Sequence, residues 1–256
     1  MQEHSTGGIL TITFDDAYLD THIHAIRYLN KLNIKCVIGV PASLIGHKLE
    51  KRPVIGLSEL KALAKHGHEI ASHTLKHANL LDLSRKNRKA STLEISDSKK
   101  VLERIAGCKV KSFIFPYINK NATSLLKNET KIYYTSARTT ANSPCFNKIP
   151  LKNNYDIKGF AIMKKHSVNY LNKQIDYAVK NNLWLIETFH LVGKKNTQSV
   201  SRPKPYRYFM HINDFKKHID YILFRKIKIL TQTRAVKKLS KATYGIQKSS
   251  NIKSCR

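Results

Sequence analysis

The alternation of strand-like and helix-like segments is the feature of this 256-residue sequence that most restricts its fold. Short runs rich in β-branched and aromatic residues alternate about seven times with segments whose apolar residues recur at helical spacing. This alternation is typical of parallel strands joined by helices. We therefore expect one α/β domain that forms a distorted (β/α) barrel of about seven strands, with an open doubly wound sheet as the alternative.

The predicted strands are short, and most are followed by polar residues. They are Ile9–Phe14, Lys35–Val40, Glu69–Ser72, Lys111–Phe115, Ile132–Thr135, Ile157–Ile162, Leu183–Phe189 and Ile227–Leu230. Helices are predicted between them, among them one at Asp20–Lys31 and one that Ser58 would cap. No Gly-rich phosphate-binding loop follows the first strand, so nothing favours a nucleotide-binding fold. We expect a catalytic domain over residues 1–240 and a polar, mobile tail over 241–256.

Composition places the chain among soluble globular proteins, since 41% of its residues are hydrophobic. The four cysteines are far apart and lack the C-x-x-C spacing of a zinc knuckle, so free thiols are expected. We find no signal peptide and no apolar run long enough to span a membrane. This predicts a cytoplasmic protein, or one at the cytoplasmic face of a membrane, and an extracytoplasmic one if the chain has been trimmed.

The formal net charge of +29 should attract polyanions. An anionic glycan or an acidic membrane surface would suit it, and nucleic acid is neither excluded nor favoured. The excess comes mostly from lysines spread along the whole chain. Because no single basic helix or patch stands out, a selected polyanion partner and a general compositional bias remain equally compatible with the sequence.

Titratable residues follow three of the predicted strands directly. Asp15 and Asp16 come after the first strand, His73 after the third, and His190 after the strand that begins at Leu183. In parallel α/β folds, side chains at the carboxyl ends of strands line the ligand crevice. One aspartate could simply cap the next helix, but two adjacent ones predict a site.

A metal site is the first candidate at these strand ends. His73 and His77 are four residues apart, so on one helical turn they would share a face and point toward one cation. In a chain with twelve histidines this spacing also arises by chance. Its position after a strand, like that of Asp16, favours a two-His-plus-carboxylate set that leaves room for water and substrate. Zn²⁺ is the expected ion, and other divalent metals fit the same ligands.

Three segments with chemistry-bearing residues follow one another along the chain: TFDD at Thr13–Asp16, HEIASHTLKH at His68–His77 and WLIETFH at Trp184–His190. In this order they resemble motifs of the polysaccharide deacetylases of the NodB-homology group, carbohydrate esterase family four. The resemblance extends over nearly the whole chain, from about residue 8 to about residue 240. It implies a distorted (β/α) barrel and metal-dependent hydrolysis of an N-acetyl group on an amino sugar, which releases acetate.

The resemblance also implies roles for individual residues. Asp16, His73 and His77 would bind the metal, and Asp15 would be the general base. His190 would be the general acid for the leaving amine. The backbone N–H of Tyr117, which follows Pro116, would help to hold the oxyanion.

Two departures from the family pattern accompany this resemblance. Many members have Arg two positions before the proline of FIFPY, where this chain has Ile114, so the usual partner of the base is missing. The acidic residue that tunes the acid histidine is also not located, with Asp156 and Asp176 as candidates by residue type only. Four other histidines are expected on solvated faces: His22, His24, His166 and His218.

The sequence thus supports a carbohydrate N-deacetylase and leaves two alternatives. One is a hydrolase of another non-peptide C–N bond. The other is a catalytically degenerate barrel that binds an anionic glycan, nucleic acid or a membrane without turnover. The net charge of +29 and the absence of the usual arginine at position 114 favour this second alternative.

Overall fold

The computed structural model describes residues 7–117, 123–195 and 206–240. Nine strands form one sheet in it, and seven of these, all parallel, form the barrel. In chain order the barrel strands are β1 (Ile9–Phe14), β2 (Val37–Val40), β3 (Glu69–Ser72), β4 (Ser112–Ile114), β5 (Ser136–Ala141), β6 (Ile157–Ala161) and β7 (Trp184–Phe189).

The sheet closes where β7 pairs with β1. These two strands match over six residue pairs, from Ile9 with Trp184 to Phe14 with Phe189. The other seams are shorter, from four pairs between β2 and β3 to two between β1 and β2 and one between β3 and β4. The predicted distorted barrel is therefore confirmed, and the open sheet is not formed. Two short strands extend the sheet outside the ring, Lys228–Ile229 along β1 and Phe146–Asn147 against β7.

Helices surround the barrel and bury their apolar faces against it. The first, α1, runs over the consecutive pieces Leu19–Thr21, His22–Ile26 and Arg27–Lys31, and its middle piece is a π-helix. The others are α2 (Leu57–Lys65), α3 (Leu80–Lys86), α4 (Arg88–Ala106), α5 (Ser124–Tyr133), α6 (Val168–Lys180) and α7 (Ile212–Phe224). A further helical stretch covers residues 232–240. Short strands also pair outside the main sheet: Lys48–Leu49 with Arg52–Pro53, and Leu191–Gly193 with Phe209–His211.

The barrel interior carries polar side chains as well as apolar ones. Trp184 is fully buried, and its indole N–H donates to Thr11 Oγ1 (2.9 Å). Trp184 is therefore a core residue of the barrel. Val37, Ala71 and Ile114 form a small apolar cluster, separate from the large core that the helices cover.

Three local predictions are wrong. The strand predicted at Ile132–Thr135 is largely the end of α5, and the strand itself begins at Ser136. Ser58 lies inside α2, whose start is capped by the Gly56 N–H donating to Glu59. His22 and His218 are buried rather than solvated, at 7% and 0% exposure.

Three further predictions concern the C-terminal tail, the cysteines and membrane-spanning helices. The tail at 241–256 lies outside the described residues. Cys36, Cys108 and Cys145 are free thiols, as expected, and Cys255 falls in that tail. Among the helices of the described ranges, none has the length and apolarity needed to cross a membrane.

Candidate metal centre and active site

The loops after β1 and β3 bring Asp16, His73 and His77 together. Asp16 Oδ1 lies 3.4 Å from His73 Nε2 and 3.1 Å from His77 Nε2. The three ligand atoms lie within 4.8 Å of one another, the distance range that a single ion can bridge. The metal ligands predicted from sequence are therefore neighbours in the fold.

This donor set fits a divalent cation. Asp16 Oδ1 is buried and makes no well-formed hydrogen bond among the described residues, although two imidazole nitrogens face it. The His73 Nδ1–H donates to the Ile114 carbonyl (2.9 Å), which leaves Nε2 with a lone pair directed at Asp16. A second-shell carbonyl of this kind fixes the ring and tautomer of a ligating histidine.

The charges of the cluster are coupled. Burial alone would raise the pKa of Asp16, but the facing His77 and His73 outweigh it and hold the pKa well below the usual range. Burial likewise lowers the pKa of His77, and the nearby Asp16 carboxylate more than reverses this, so that pKa is raised. Without a cation, the cluster is held together by attraction between a carboxylate and imidazoles.

The two histidines lie on a loop and not on a helical turn, so the reason given for their shared face was wrong. Residues 73–79 contain no helix. The loop is held instead by the buried Glu94 of α4, whose carboxylate accepts from the Lys76 backbone N–H (2.8 Å). The Ala78 N–H donates to Thr74 Oγ1 (3.1 Å).

Left-handed backbone is concentrated around this cluster. Five non-glycine residues there have φ between 51° and 70°: Asp16, Ala17, Thr74, His77 and Tyr117. Such a conformation costs an L-residue about 1 kcal/mol or more, and it persists where the surroundings impose it. The ligand loops are therefore held in a conformation that their residue types do not favour.

Asp15 lies beside the cluster and is held by an arginine that sequence reasoning missed. Arg138, on β5, donates through Nη2 to Asp15 Oδ1 and to Thr13 Oγ1 (3.0 Å for the latter). Both charged residues are buried, at 0% and 2% exposure. A partner for the Asp15 carboxylate is thus present, although it comes from β5 and not from position 114. No local motif marks Arg138, and only the register of β4 with β5 would have located it.

His190 follows β7 directly and lies half-buried against Tyr208. The two rings stack with centroids 4.7 Å apart, and the Tyr208 hydroxyl donates to Asn142 (3.1 Å). Burial lowers the pKa of His190, and the charges of Asp16 and Asp15 oppose this. His190 Nδ1 is buried and has no hydrogen-bond partner within the described ranges.

The two acidic candidates for tuning His190 are engaged elsewhere. Asp156 pairs with Lys127 (2.6 Å), and Asp176 pairs with Arg225 (3.0 Å) and accepts from the Tyr221 hydroxyl. Tyr208 is the neighbour that the structure provides instead. It lacks any sequence signature because it lies 18 residues after His190 in the chain.

Pro116 and Tyr117 follow β4 at the same end of the barrel. Pro116 is buried and Tyr117 is 49% exposed. The Tyr117 ring lies 5.0 Å from that of His77, and its hydroxyl donates to the His77 carbonyl (3.4 Å). The structure therefore brings Tyr117 to the rim of the metal centre.

A closed (β/α) barrel that gathers an Asp-His-His cluster and a second buried aspartate at its strand ends defines the class of (β/α) barrels with a candidate metal site at the carboxyl ends of their strands. Comparison with known proteins specifies the class. The family model for polysaccharide deacetylases matches residues 3–135, and the chain belongs to this family.

Among individual relatives, the chain is 30% identical over 129 residues to YxkH of Bacillus subtilis (strain 168), a protein classed with the polysaccharide deacetylases. That match covers 50% of this chain and 43% of YxkH, so it spans less than half of the relative.

Solved structures with the same fold cover most of the chain. One is the Xyl-CE4 domain of a multidomain xylanase from the hindgut metagenome of Trinervitermes trinervoides, with 16% identity, 91% of both chains covered and a TM-score of 0.56. Another is the peptidoglycan deacetylase PdaC from Bacillus subtilis, with 12% identity, 96% and 98% of the chains covered and a TM-score of 0.58. At these identities the likeness concerns the fold.

Proposed function

We propose that this protein is a metal-dependent carbohydrate N-deacetylase that hydrolyses the acetamide of an N-acetylated amino sugar to acetate and a free amine. The observation that carries this proposal is the meeting of Asp16, His73 and His77 beside a separate buried carboxylate, Asp15. Hydrolysis of an unactivated amide needs a Lewis acid, a base and an acid in one place. The family membership of the chain supports the same substrate class.

In this proposal Asp16, His73 and His77 hold a divalent cation, with Zn²⁺ the expected ion. The cation supplies a Lewis acid that polarises the acetamide carbonyl and makes water more acidic. The His73 ring is oriented for this by the Ile114 carbonyl. Imidazole and carboxylate ligands would also accept other first-row metals.

Asp15 serves as the general base. Its Oδ1 is occupied by Arg138 and lies within 3.4 Å of the Thr13 hydroxyl, whereas Oδ2 has no hydrogen-bond partner among the described residues. That second oxygen accepts the proton of the attacking water. Adjacent aspartates suit this division because one binds the cation while the other stays free.

His190 donates a proton to the departing amine, which leaves poorly as an anion. Stacking on Tyr208 orients the imidazole. The Tyr117 backbone N–H contributes to stabilising the oxyanion from the rim, next to Pro116. The substrate partner is an N-acetylated carbohydrate, and the +29 charge favours an anionic glycan or one presented at an acidic membrane surface.

The test combines acetate release with metal analysis. Chelator-treated protein is reloaded with Zn²⁺ or Co²⁺, the bound metal is quantified, and acetate release is measured on N-acetylglucosamine oligosaccharides and on peptidoglycan. His73→Ala should lose the metal and the activity, whereas Asp15→Asn should keep the metal and retain only a small, measurable residual activity. His66→Ala, at the exposed end of α2, is the control and should change neither.

Other outcomes separate the alternatives. Wild-type protein that binds no divalent metal at this cluster would refute the proposal. Hydrolysis of small cyclic amides without acetate release would indicate another C–N hydrolase. Salt-sensitive binding of glycan or nucleic acid with no turnover in any metal would indicate a degenerate, binding-only barrel.

A further inference from the structure

Arg138 is a fully buried cation within the barrel. Its exposed fraction is 0%, and the guanidinium donates to Thr140 Oγ1 (2.8 Å), to Thr13 Oγ1 (3.0 Å) and to Asp15 Oδ1. Arg138 Nε has no partner among the described residues. A buried guanidinium with an orphaned donor is a weak way to stabilise a core, because burying both charges costs about as much as their attraction returns. A role beyond packing is therefore worth testing.

The barrel interior leaves room for the Arg138 guanidinium to reach the end of β1. Gly159, on the neighbouring strand β6, is the close approach: a Cβ there would lie 3.2 Å from Arg138 Nη1 and 2.7 Å from Thr188 Oγ1. A side chain at position 159 would clash with Thr188 and crowd the guanidinium. The contact from Arg138 to Asp15 joins strands that are not neighbours in the sheet, since β1 pairs with β2 and β7.

The contact with Arg138 fixes the orientation of the Asp15 carboxylate. With Oδ1 held by Arg138 and close to Thr13, rotation of the carboxylate is restricted, and Oδ2 has no hydrogen-bond partner among the described residues. A carboxylate released from this hold could turn toward the neighbouring Asp16 cluster and compete for its cation. A base displaced by about 1 Å can lose about two orders of magnitude in rate.

We propose that Arg138 is the positioning residue of Asp15: it holds one carboxylate oxygen so that the other is presented as the base. The inference rests on the proposed function and adds to it a residue that acts through Asp15 without touching substrate. What matters is the guanidinium at Asp15 Oδ1 and not the strand that carries it.

If only the guanidinium matters, an arginine at another position of the barrel should be able to replace Arg138. Ile114 is the register partner of Arg138 across the β4–β5 seam. Its Cδ1 and Asp15 Oδ1 both lie within 3.1 Å of the point where a Cβ on Gly39 would be. An arginine at position 114 therefore starts next to the same carboxylate, and removal of Arg138 would vacate the space it needs.

The first experiment measures kcat, KM and bound metal for zinc-loaded enzyme. Arg138→Met, which keeps an aliphatic stem of similar shape but removes the guanidinium, should lower kcat about 100-fold per metal-loaded site, with metal content and KM little changed. Ile114→Arg/Arg138→Met should recover at least about ten-fold of that loss. In an Asp15→Asn background, Arg138→Met should cost less than about three-fold more, because residues that act as one unit are non-additive. Arg104→Met, on an exposed position of α4, is the matched control.

The second experiment needs no activity. Urea unfolding of the metal-free protein, followed by the fluorescence of the single Trp184, is measured for wild type, Asp15→Asn, Arg138→Met and the double variant. The two substitutions should be coupled by about ten-fold or more in the unfolding equilibrium constant, with the double variant less destabilised than the two singles combined. Arg138→Lys replaces Arg138→Met if the latter does not fold, with the same direction expected.

The outcomes separate the two proposals. An additive unfolding cycle, or an Arg138→Met loss that persists undiminished in the Asp15→Asn background, would overturn the role of Arg138. A relocated arginine that restores no activity in a folded, metal-loaded protein would overturn it as well. Wild-type protein without deacetylase activity would refute the proposed function and leave the unfolding cycle as the test of the pair.

Discussion

Acidification should destabilise this protein through His68, a buried histidine outside the proposed active site. The Cys36 backbone N–H donates to His68 Nδ1 (3.2 Å), so Nδ1 carries the lone pair and Nε2–H donates to Asn30 Oδ1 (2.6 Å). A proton on Nδ1 would face another N–H. Burial, with help from Lys35 and His66, accordingly lowers the pKa of His68 from 6.5 to about 4.

The direction and size of the effect follow from that pKa. Between pH 6.5 and about 4 the unfolded chain protonates this histidine while the folded protein does not, so the free energy of unfolding falls as the pH falls. The full shift corresponds to about 3 kcal/mol, of which about 2.5 kcal/mol should be lost between about pH 7.5 and about pH 4.5. Above the unfolded pKa the contribution is constant.

Glutamine isolates this contribution. In His68→Gln the amide oxygen can accept from the Cys36 N–H and the amide nitrogen can donate to Asn30, with no charge at any pH. Urea unfolding followed by Trp184 fluorescence is measured for both proteins across the range, in chelator so that metal release does not intervene. His77, whose pKa is raised and whose contribution has the opposite sign, cancels in the difference.

The stability difference between His68→Gln and wild type should move in favour of the variant by about 2.5 kcal/mol as the pH falls to about 4.5. His47→Gln, at an exposed histidine elsewhere in the chain, should follow the wild-type curve. Parallel curves for wild type and His68→Gln, within about 0.5 kcal/mol, would refute the hydrogen-bond assignment and the pH argument built on it.

Three further substitutions test other features. Gly159→Ala adds a methyl group where the barrel interior has no room and should lower stability by about 1–3 kcal/mol in urea unfolding; an unchanged midpoint would contradict the packing. Glu94→Gln weakens the support of the Lys76 backbone and should reduce metal affinity about ten-fold in competition with a chelating dye, whereas unchanged affinity would show that the loop holds itself. Glu187→Leu leaves the fully buried His218 without its partner at 3.0 Å and should cost about 3–5 kcal/mol. The Glu187→Leu/His218→Leu variant should cost less than this single change, and a larger loss would count against the pair.

The ends of the barrel strands were the most predictable part of the site. Asp15, Asp16, His73 and His190 follow segments whose local composition marks them as strands, and parallel strands place their carboxyl ends together. The spacing of His73 and His77 predicted that the two side chains lie together, but for the wrong reason. A four-residue separation would bring two side chains together on a helical turn. In this loop the same residues are brought together by left-handed backbone and by a hydrogen bond from the loop to Glu94.

Arg138 shows where local patterns fail. It is 123 residues from Asp15 in the chain, and β5, with the sequence SARTTA, lacks the apolar residues that mark a buried strand. The strand was predicted too early in the chain because the apolar Ile132 and Tyr133, which end α5, come just before it. The burial of His218 was not predicted for a related reason. A helical pattern does not reveal that its hydrogen-bond partners Glu187 and Asn172 lie on neighbouring elements.

The left-handed residues around the cation site have a consequence for how this protein can evolve. Five such positions together cost about 5 kcal/mol or more, a large share of the net stability of a typical domain. Selection for thermal tolerance alone would therefore favour changes at Ala17, Thr74 and their neighbours, and would relax the loops that shape the site. A lineage that becomes more heat-resistant by this route would be expected to lose the geometry of the Asp16, His73 and His77 cluster first.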